Sequence, residues 1–475
     1  MRILCLPIDS RPCNTQFIRE LVAWAGHASV FPRPEEMDDF TRPAPYEASR
    51  AFLLRELPEC GAAVISLDHW CYGSLLASRE DQVSREEALR RVQDLKTILA
   101  AHPHIPVYMS SVILRSSISA LSRGDLAAYH AVTEYSVARD RFDRFGLPED
   151  AEKAENARKR IPDAVLQKVL KVRERNLTVN LAAVDMAAEG IVKSLSVLQE
   201  DCQVYGLPKK DQRAILGRMR ERNARRVFLR NGTDEAGALS AAEALWDTRQ
   251  PLRADFIYLG RKDFTAPYED RPFRENLESA CREIGVQPTE GSDPVIFVCC
   301  PENGAQQEAG NAPDSAALAA YARAIAEKAL EGKRVYVLDI IGANGGSAGL
   351  MRRLSCADRL WGYSAWNTAS NSMGTLLAQV ISDALRGEKN EAFYQERLLD
   401  DYVYQTVLRR KLGEMLEKAG EDIYRLRDKA RAERFLRELF LTELPALWPL
   451  KTLPEFRASL PWSRIFECEV QVKNR

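Results

Sequence analysis

Short, predominantly apolar runs alternate along the chain with longer stretches in which apolar residues recur every three to four positions, and this pattern holds to about residue 385. Runs of the first kind, at residues 3–8, 28–31, 62–68, 105–114, 195–198, 226–231, 256–260, 295–300, 334–341 and 361–366, predict buried strands. The periodic stretches predict helices at 15–24, 46–57, 85–101, 210–223, 272–284, 315–330 and 372–385, with another starting near Ala236, and Pro272 suits a first helical turn. No hairpin spacing separates the strands. About ten strands parted by helices predict a mainly parallel α/β fold. The expected architecture is a (β/α)8-like barrel with one or two extra strands; two Rossmann-like lobes would accommodate the same count.

Between residues 125 and 190 the pattern is overwhelmingly helical, which places a helical insertion at about 120–192. Its charged middle, 149–160, reads as a solvated helix face. An insertion of this kind between consecutive strands commonly forms a cap or an extended helical hairpin over a site. From residue 388 the chain is again helical and ends in a segment bearing proline and tryptophan. The domain expectation is therefore a barrel-like catalytic body over 1–385 and a helical segment over 386–475 packed on it.

Composition sharpens this by exclusion. With 45% hydrophobic residues in 475, the chain can build a sizeable core. Its net charge of −1 offers no basic excess to compensate phosphates, so no nucleic-acid partner is expected. The N-terminal apolar run is too short for a signal peptide, and no window approaches the ~20 apolar residues of a membrane helix. These features predict a cytoplasmic protein without a membrane partner; homo-oligomerisation is left open. The ten cysteines are scattered without a Cys-x-x-Cys pair and fit reduced, packed thiols. Of the five histidines, only His102 and His104 stand close together, so a catalytic zinc is not expected, while a carboxylate site for magnesium or manganese stays open. Neither a dinucleotide nor a P-loop fingerprint is present, and no cofactor is expected.

The candidate chemistry lies where apolar runs end. Ser194 to Gly206 reads as a short buried strand delivering the adjacent carboxylates Glu200 and Asp201. A strand buried on both faces fixes its backbone, and in parallel α/β folds ligands bind at that rim. Two neighbouring carboxylates in different surroundings suit general acid and base catalysis, although an acidic pair in this position also suits a helix N-cap. Other strand ends supply Asp9, Arg11 and Asn14; Asp68, Tyr72 and Arg79; Arg115; Asn231, Asp234 and Glu235; and Asp339 with Asn344 on a turn where Gly345 and Gly346 would admit a ligand. Trp366 offers an apolar face to a sugar ring, and of Asn367 and Asn371 one would cap the next helix while the other lines the rim.

The motifs at 6–14, 72–79, 199–201, 231–235 and 366–371 together resemble a bacterial family known as domain of unknown function number 4127, over most of the chain to about residue 385. In layout, the acidic pair, the late Asp with a nearby Asn and the final Asn-bearing turn are similar to the barrel of O-GlcNAcase-like β-N-acetylhexosaminidases. That resemblance implies that Glu200 orients a substrate acetamido group and Asp201 serves as acid and base, with the departure that the first member here is a glutamate. The expected activity is hydrolysis of a glycoside, a small molecule or an oligosaccharide, with Glu200 and Asp201 as the acid/base centre. A divalent-metal-dependent hydrolase or lyase, and a non-catalytic sugar- or metabolite-binding protein, are the alternatives.

Overall fold

A computed structural model of the chain describes residues 1–311 and 314–473. Its contacts divide into two units: the first comprises Met1–Arg19, His27–Leu245 and Tyr268–Arg271, and the second takes the remainder.

In the first unit six parallel strands, β1 (Arg2–Leu6), β2 (Ala28–Val30), β3 (Ala62–Ser66), β4 (Val107–Ile113), β5 (Ser194–Gln199) and β6 (Val227–Asn231), form one sheet in the order β2-β1-β3-β4-β5-β6. Strands β3, β4 and β5 are buried along their whole length, which is why their sequences are mainly apolar with small serines and carry no charge. Helices over Tyr46–Glu56, Arg85–Ala100, Asp163–Ala188 and Leu207–Glu221 supply most of the apolar residues that pack against them.

The second unit contains β7 (Leu252–Leu259), β8 (Val286–Pro288), β9 (Val295–Cys299), β10 (Gln307–Glu308), β11 (Val335–Asp339), β12 (Gly342–Ala343), β13 (Gly362–Ser364), β14 (Phe456–Ser459) and β15 (Glu469–Val472). Five of these make a parallel sheet in the order β13-β11-β9-β7-β8, while β10 pairs with β12 and β14 with β15. Numbered within its own unit, that sheet runs 2-1-3-4-5, and the first sheet runs 2-1-3-4-5-6. Both orders reverse beside the first strand, the arrangement of doubly wound α/β folds.

The strands therefore form two open sheets, and the expected closed barrel is not formed among the described residues. Closure would bring the last strand of a sheet beside the first; here β2 occupies that edge of β1, and β6 pairs with β5 alone. All ten predicted strands are present. Sequence patterning missed β8, β10, β12 and the β14–β15 hairpin, which are two to four residues long and mostly exposed or half-buried, apart from the buried pair forming β12.

The helical insertion is more integral than a cap. Leu126–Phe145 and Pro148–Arg158 pack on each other, whereas Asp163–Ala188 lies along β4 and β5 as the crossover that joins them. After residue 386 the chain is mainly helical and includes a π-helical stretch, Leu398–Leu408. All ten cysteines are buried and free. No helix among the described residues is long and apolar enough to cross a membrane.

Asp401, on that π-helical stretch, holds the second sheet's strand ends. Its carboxylate accepts the Ala365 and Trp366 amides at 2.8 and 3.1 Å and the Arg397 guanidinium at 2.7 Å. Removing one member of a fully buried ion pair costs about 3–5 kcal/mol. Asp401→Ala is accordingly expected to lower the unfolding free energy by an amount in that range, read from denaturant titrations followed by tryptophan fluorescence; an unchanged unfolding curve would show that Asp401 is dispensable.

Candidate functional site

The carboxyl ends of β1, β3, β4, β5 and β6 gather most of the predicted polar residues into two groups within the first unit. The first group is centred on Arg11. Its Nε donates to both Asp9 carboxylate oxygens at 3.0 Å, and its terminal nitrogens reach Asp234 at 2.5 and 3.1 Å, so one guanidinium joins the loop after β1 to the loop after β6. Asn14 Nδ2 donates to Asp9 Oδ1 at 2.8 Å. Burial pushes the Asp9 carboxyl upward, but the Arg11 charge and the hydrogen bonds from Arg11 and Asn14 outweigh it and hold Asp9 below the ordinary carboxylate value. Neighbouring Glu235 is committed elsewhere, to a fully buried ion pair with Arg230 and to the Thr233 amide at 2.8 Å. Asn231 Nδ2 meets Cys202 Sγ at 3.4 Å.

Sequence reasoning missed Asp38, which joins this group from the loop after β2. Ser10 Oγ donates to it at 3.3 Å, and its other oxygen is buried without a protein partner. Burial, reinforced by the Asp9 charge, pushes the Asp38 carboxyl well above its usual range. The only signal was an acidic pair, Asp38-Asp39, which stands well past the end of β2 and not directly at a strand end.

The second group contains the acidic pair. Glu200 forms an ion pair with Arg79, Asp201 forms one with Arg115, and Arg115 Nη1 lies 4.0 Å from Glu200 Oε1. The pair is not a helix N-cap: the next helix begins at Leu207, with Gly206 as its cap residue. Glu200 is 5% exposed while the Asp201 side chain is 30% exposed, so burial does separate the two. Burial lowers the Arg79 guanidinium value, and Arg115 stands above the ordinary value because Asp201 and Glu200 outweigh its burial.

Asp68 lies between these groups, in the helical turn that follows β3, and its Oδ2 accepts the Val112 amide of β4 at 2.8 Å. Burial, aided by the nearby Glu200 charge, raises its pKa to about 7. The insertion helix shapes this region from above the strand ends. Arg173 donates to the Leu114 carbonyl at 3.2 Å and to Asp211 at 2.5 Å. Arg175 donates to the carbonyls of Ser78, Glu80 and Val83 at 2.6–2.9 Å and lies 4.2 Å from the centre of the buried Tyr72 ring. Those carbonyls belong to the loop that carries Arg79.

The remaining predicted residues belong to the second unit, and several have roles other than the expected ones. Asp339, buried at the end of β11, accepts the Ser347 amide at 2.7 Å and the Tyr363 hydroxyl at 2.9 Å; burial raises its pKa to about 6. A Cβ at Gly346 would overlap the Tyr363 hydroxyl, so the glycine makes room for that hydrogen bond. Asn344 and Asn367 occupy left-handed backbone, with φ of 60° and 66°, a conformation asparagine tolerates. Neither Asn367 nor Asn371 caps the following helix; Thr368 does, accepting the Asn371 amide at 3.4 Å. Trp366 is 5% exposed and packs against Phe466, with ring centres 6.5 Å apart, so it presents no open stacking face.

Among the described residues no three His, Cys, Asp or Glu side chains gather as a metal site. The fold and its strand-end chemistry define an open α/β protein with parallel sheets and a charged cluster where the first sheet's order reverses. A family model described as Protein of unknown function (DUF4127) matches residues 3–471, and the chain belongs to that family. No curated protein matches it. The layout likeness to O-GlcNAcase-like enzymes rests on a barrel that the two open sheets do not form.

Asp68 makes stability depend on pH in a definite direction. Its folded value of about 7 exceeds the ordinary value of 3.8, so its contribution is fully present below about pH 4 and is lost as pH rises through 7. The loss is on the order of 4 kcal/mol by pH 8. Wild type is therefore expected to lose melting temperature relative to Asp68→Asn between pH 5 and 8, measured by scanning calorimetry at both pH values. Parallel pH profiles for the two proteins would remove Asp68 from this role.

Proposed function

We propose that the protein is a glycoside hydrolase whose acid/base centre lies at the carboxyl ends of the first sheet, with Asp68 as the proton-holding acid and Glu200 as its partner carboxylate. The observation that carries the reading is the contrast between these two buried groups. Asp68 retains a proton close to neutral pH because it is buried and feels the Glu200 charge, while Glu200 is ion-paired with Arg79 through one oxygen and has no protein partner on the other. A carboxyl that holds a proton near neutral pH, together with a second carboxyl group that keeps one oxygen unpartnered, is the equipment for protonating a leaving group and stabilising or hydrating the sugar carbon left behind.

This reading moves the acid role from Asp201 to Asp68. Asp201 is half-buried and turned to Arg115, so its geometry suits positioning of that guanidinium. Glu200 can act on the sugar through its unpartnered oxygen. Asp68, anchored by the Val112 amide, holds its proton at a fixed place beside the β4 terminus. The Arg11 group, fully ion-paired with Asp9 and Asp234, supports the rim and is not assigned a bond-breaking step.

The test is turnover of aryl glycosides, including N-acetylhexosaminides, uronides and plain hexosides, by the purified protein with and without EDTA. Asp68→Asn and Glu200→Gln are each expected to lower turnover about 10²–10⁴-fold, the usual worth of an acid or base. Wild-type turnover should fall as pH rises through about 7, where Asp68 loses its proton. Asp201→Asn should retain more activity than Asp68→Asn; the opposite ranking would return the acid role to Asp201. Release abolished by EDTA would replace the reading with metal-dependent hydrolysis.

A further inference from the structure

Four polar atoms at the carboxyl ends of β4 and β5 and in the facing loop are buried and have no partner in the protein: Arg79 Nε, Arg115 Nε, Ser116 Oγ and Glu200 Oε2. Their residues are joined to one another. Arg79 is paired with Glu200, Arg115 Nη1 is 4.0 Å from Glu200 Oε1, and the Ser116 amide donates to the Asp201 carbonyl at 3.0 Å. Buried polar atoms in folded proteins are nearly all paired, so four orphans in one cluster require a reason.

Their chemistry says what would satisfy them. The two guanidinium N–H groups only donate, Glu200 Oε2 only accepts when ionised, and the serine hydroxyl does either. A complementary ligand carries charged acceptor oxygens on one side and a hydroxyl donor beside them. The geometry points to a hydroxylated carboxylate, a sugar acid, whose carboxylate takes the Arg79 and Arg115 N–H groups while a neighbouring hydroxyl donates to Glu200. A neutral sugar would offer the guanidinium groups only weak acceptors, and charge-assisted hydrogen bonds are roughly twice as strong as neutral ones. A simple inorganic anion would satisfy the arginines but bring a like charge against Glu200 without a donor. Asp201, paired with Arg115 and with 30% of its side chain exposed, marks the edge of the cluster that solvent reaches. The inference rests on the glycosidase reading and narrows its substrate class to uronides.

Calorimetric titration of the full chain with glucuronate, glucose and inorganic sulfate tests it directly. Glucuronate is expected to bind at least tenfold more tightly than either of the others. Arg115→Met should weaken glucuronate about tenfold to a hundredfold. Because that change also strips Asp201 of its partner, Ser116→Ala provides a second variant that removes only a hydroxyl; it should weaken glucuronate about fivefold with an unchanged circular dichroism spectrum. Equal binding of glucose and glucuronate overturns the inference, as does sulfate binding as tightly as glucuronate. Tight glucuronate binding without cleavage of any aryl uronide keeps the ligand class and overturns the catalytic reading. Cleavage of plain hexosides with no preference for uronides keeps catalysis and overturns the ligand class.

Discussion

A single guanidinium holds the rim of the first unit together. Arg11 leaves the loop after β1, is gripped by Asp9 two residues before it, and reaches Asp234 in the loop after β6. In the sheet those two strands are separated by three others, so the backbone ladder gives them no direct connection. Burying three charges is costly, and their mutual attraction offsets that cost only when the geometry is close to complete. Here it is: Arg11 donates to both carboxylates, and Asn14 satisfies Asp9 further. Burial, reinforced by the Asp9 charge, pushes the neighbouring Asp38 carboxyl the other way, well above its usual range.

The same economy of charge governs the acidic pair. Arg79 and Arg115 each take one carboxylate, and this keeps two negative groups adjacent in sequence from having to share one environment. Asp68, with a backbone amide and no ion pair, is left as the group whose charge state changes near neutral pH. The second unit solves its own version with Arg397 between Asp400 and Asp401, placed side by side by the π-helical stretch. Such stretches are rare and occur frequently at functional sites.

Much of this was legible from the chain. A run such as Leu195 to Leu198 has only one small polar residue, Ser196, so it reads as a buried strand, and the charged residues that follow Gln199 belong to the rim. What patterning cannot express is pairing. A barrel and an open sheet differ only in whether β1 borders the last strand or β2, and both produce the same alternation of elements. Nor does spacing reveal that Arg11 pairs with a residue 223 positions away, or that Arg175 belongs to a loop nearly a hundred positions earlier. Trp366 misled because aromatic identity says nothing about exposure, and its place against Phe466 depends on residues a hundred positions later. The cap at Thr368 was hidden by two asparagines that are equally good cap formers.

Arg175 holds the Ser78–Val83 loop through main-chain carbonyls and a neighbouring asparagine, with no side chain of that loop in its grip. A grip of that kind is blind to sequence. Exchange of the exposed Gln82 side chain leaves these three carbonyl bonds intact, so Arg79 stays aimed at Glu200. The insertion is thereby the clamp of this rim, and what it clamps is the path of the loop and not its side chains.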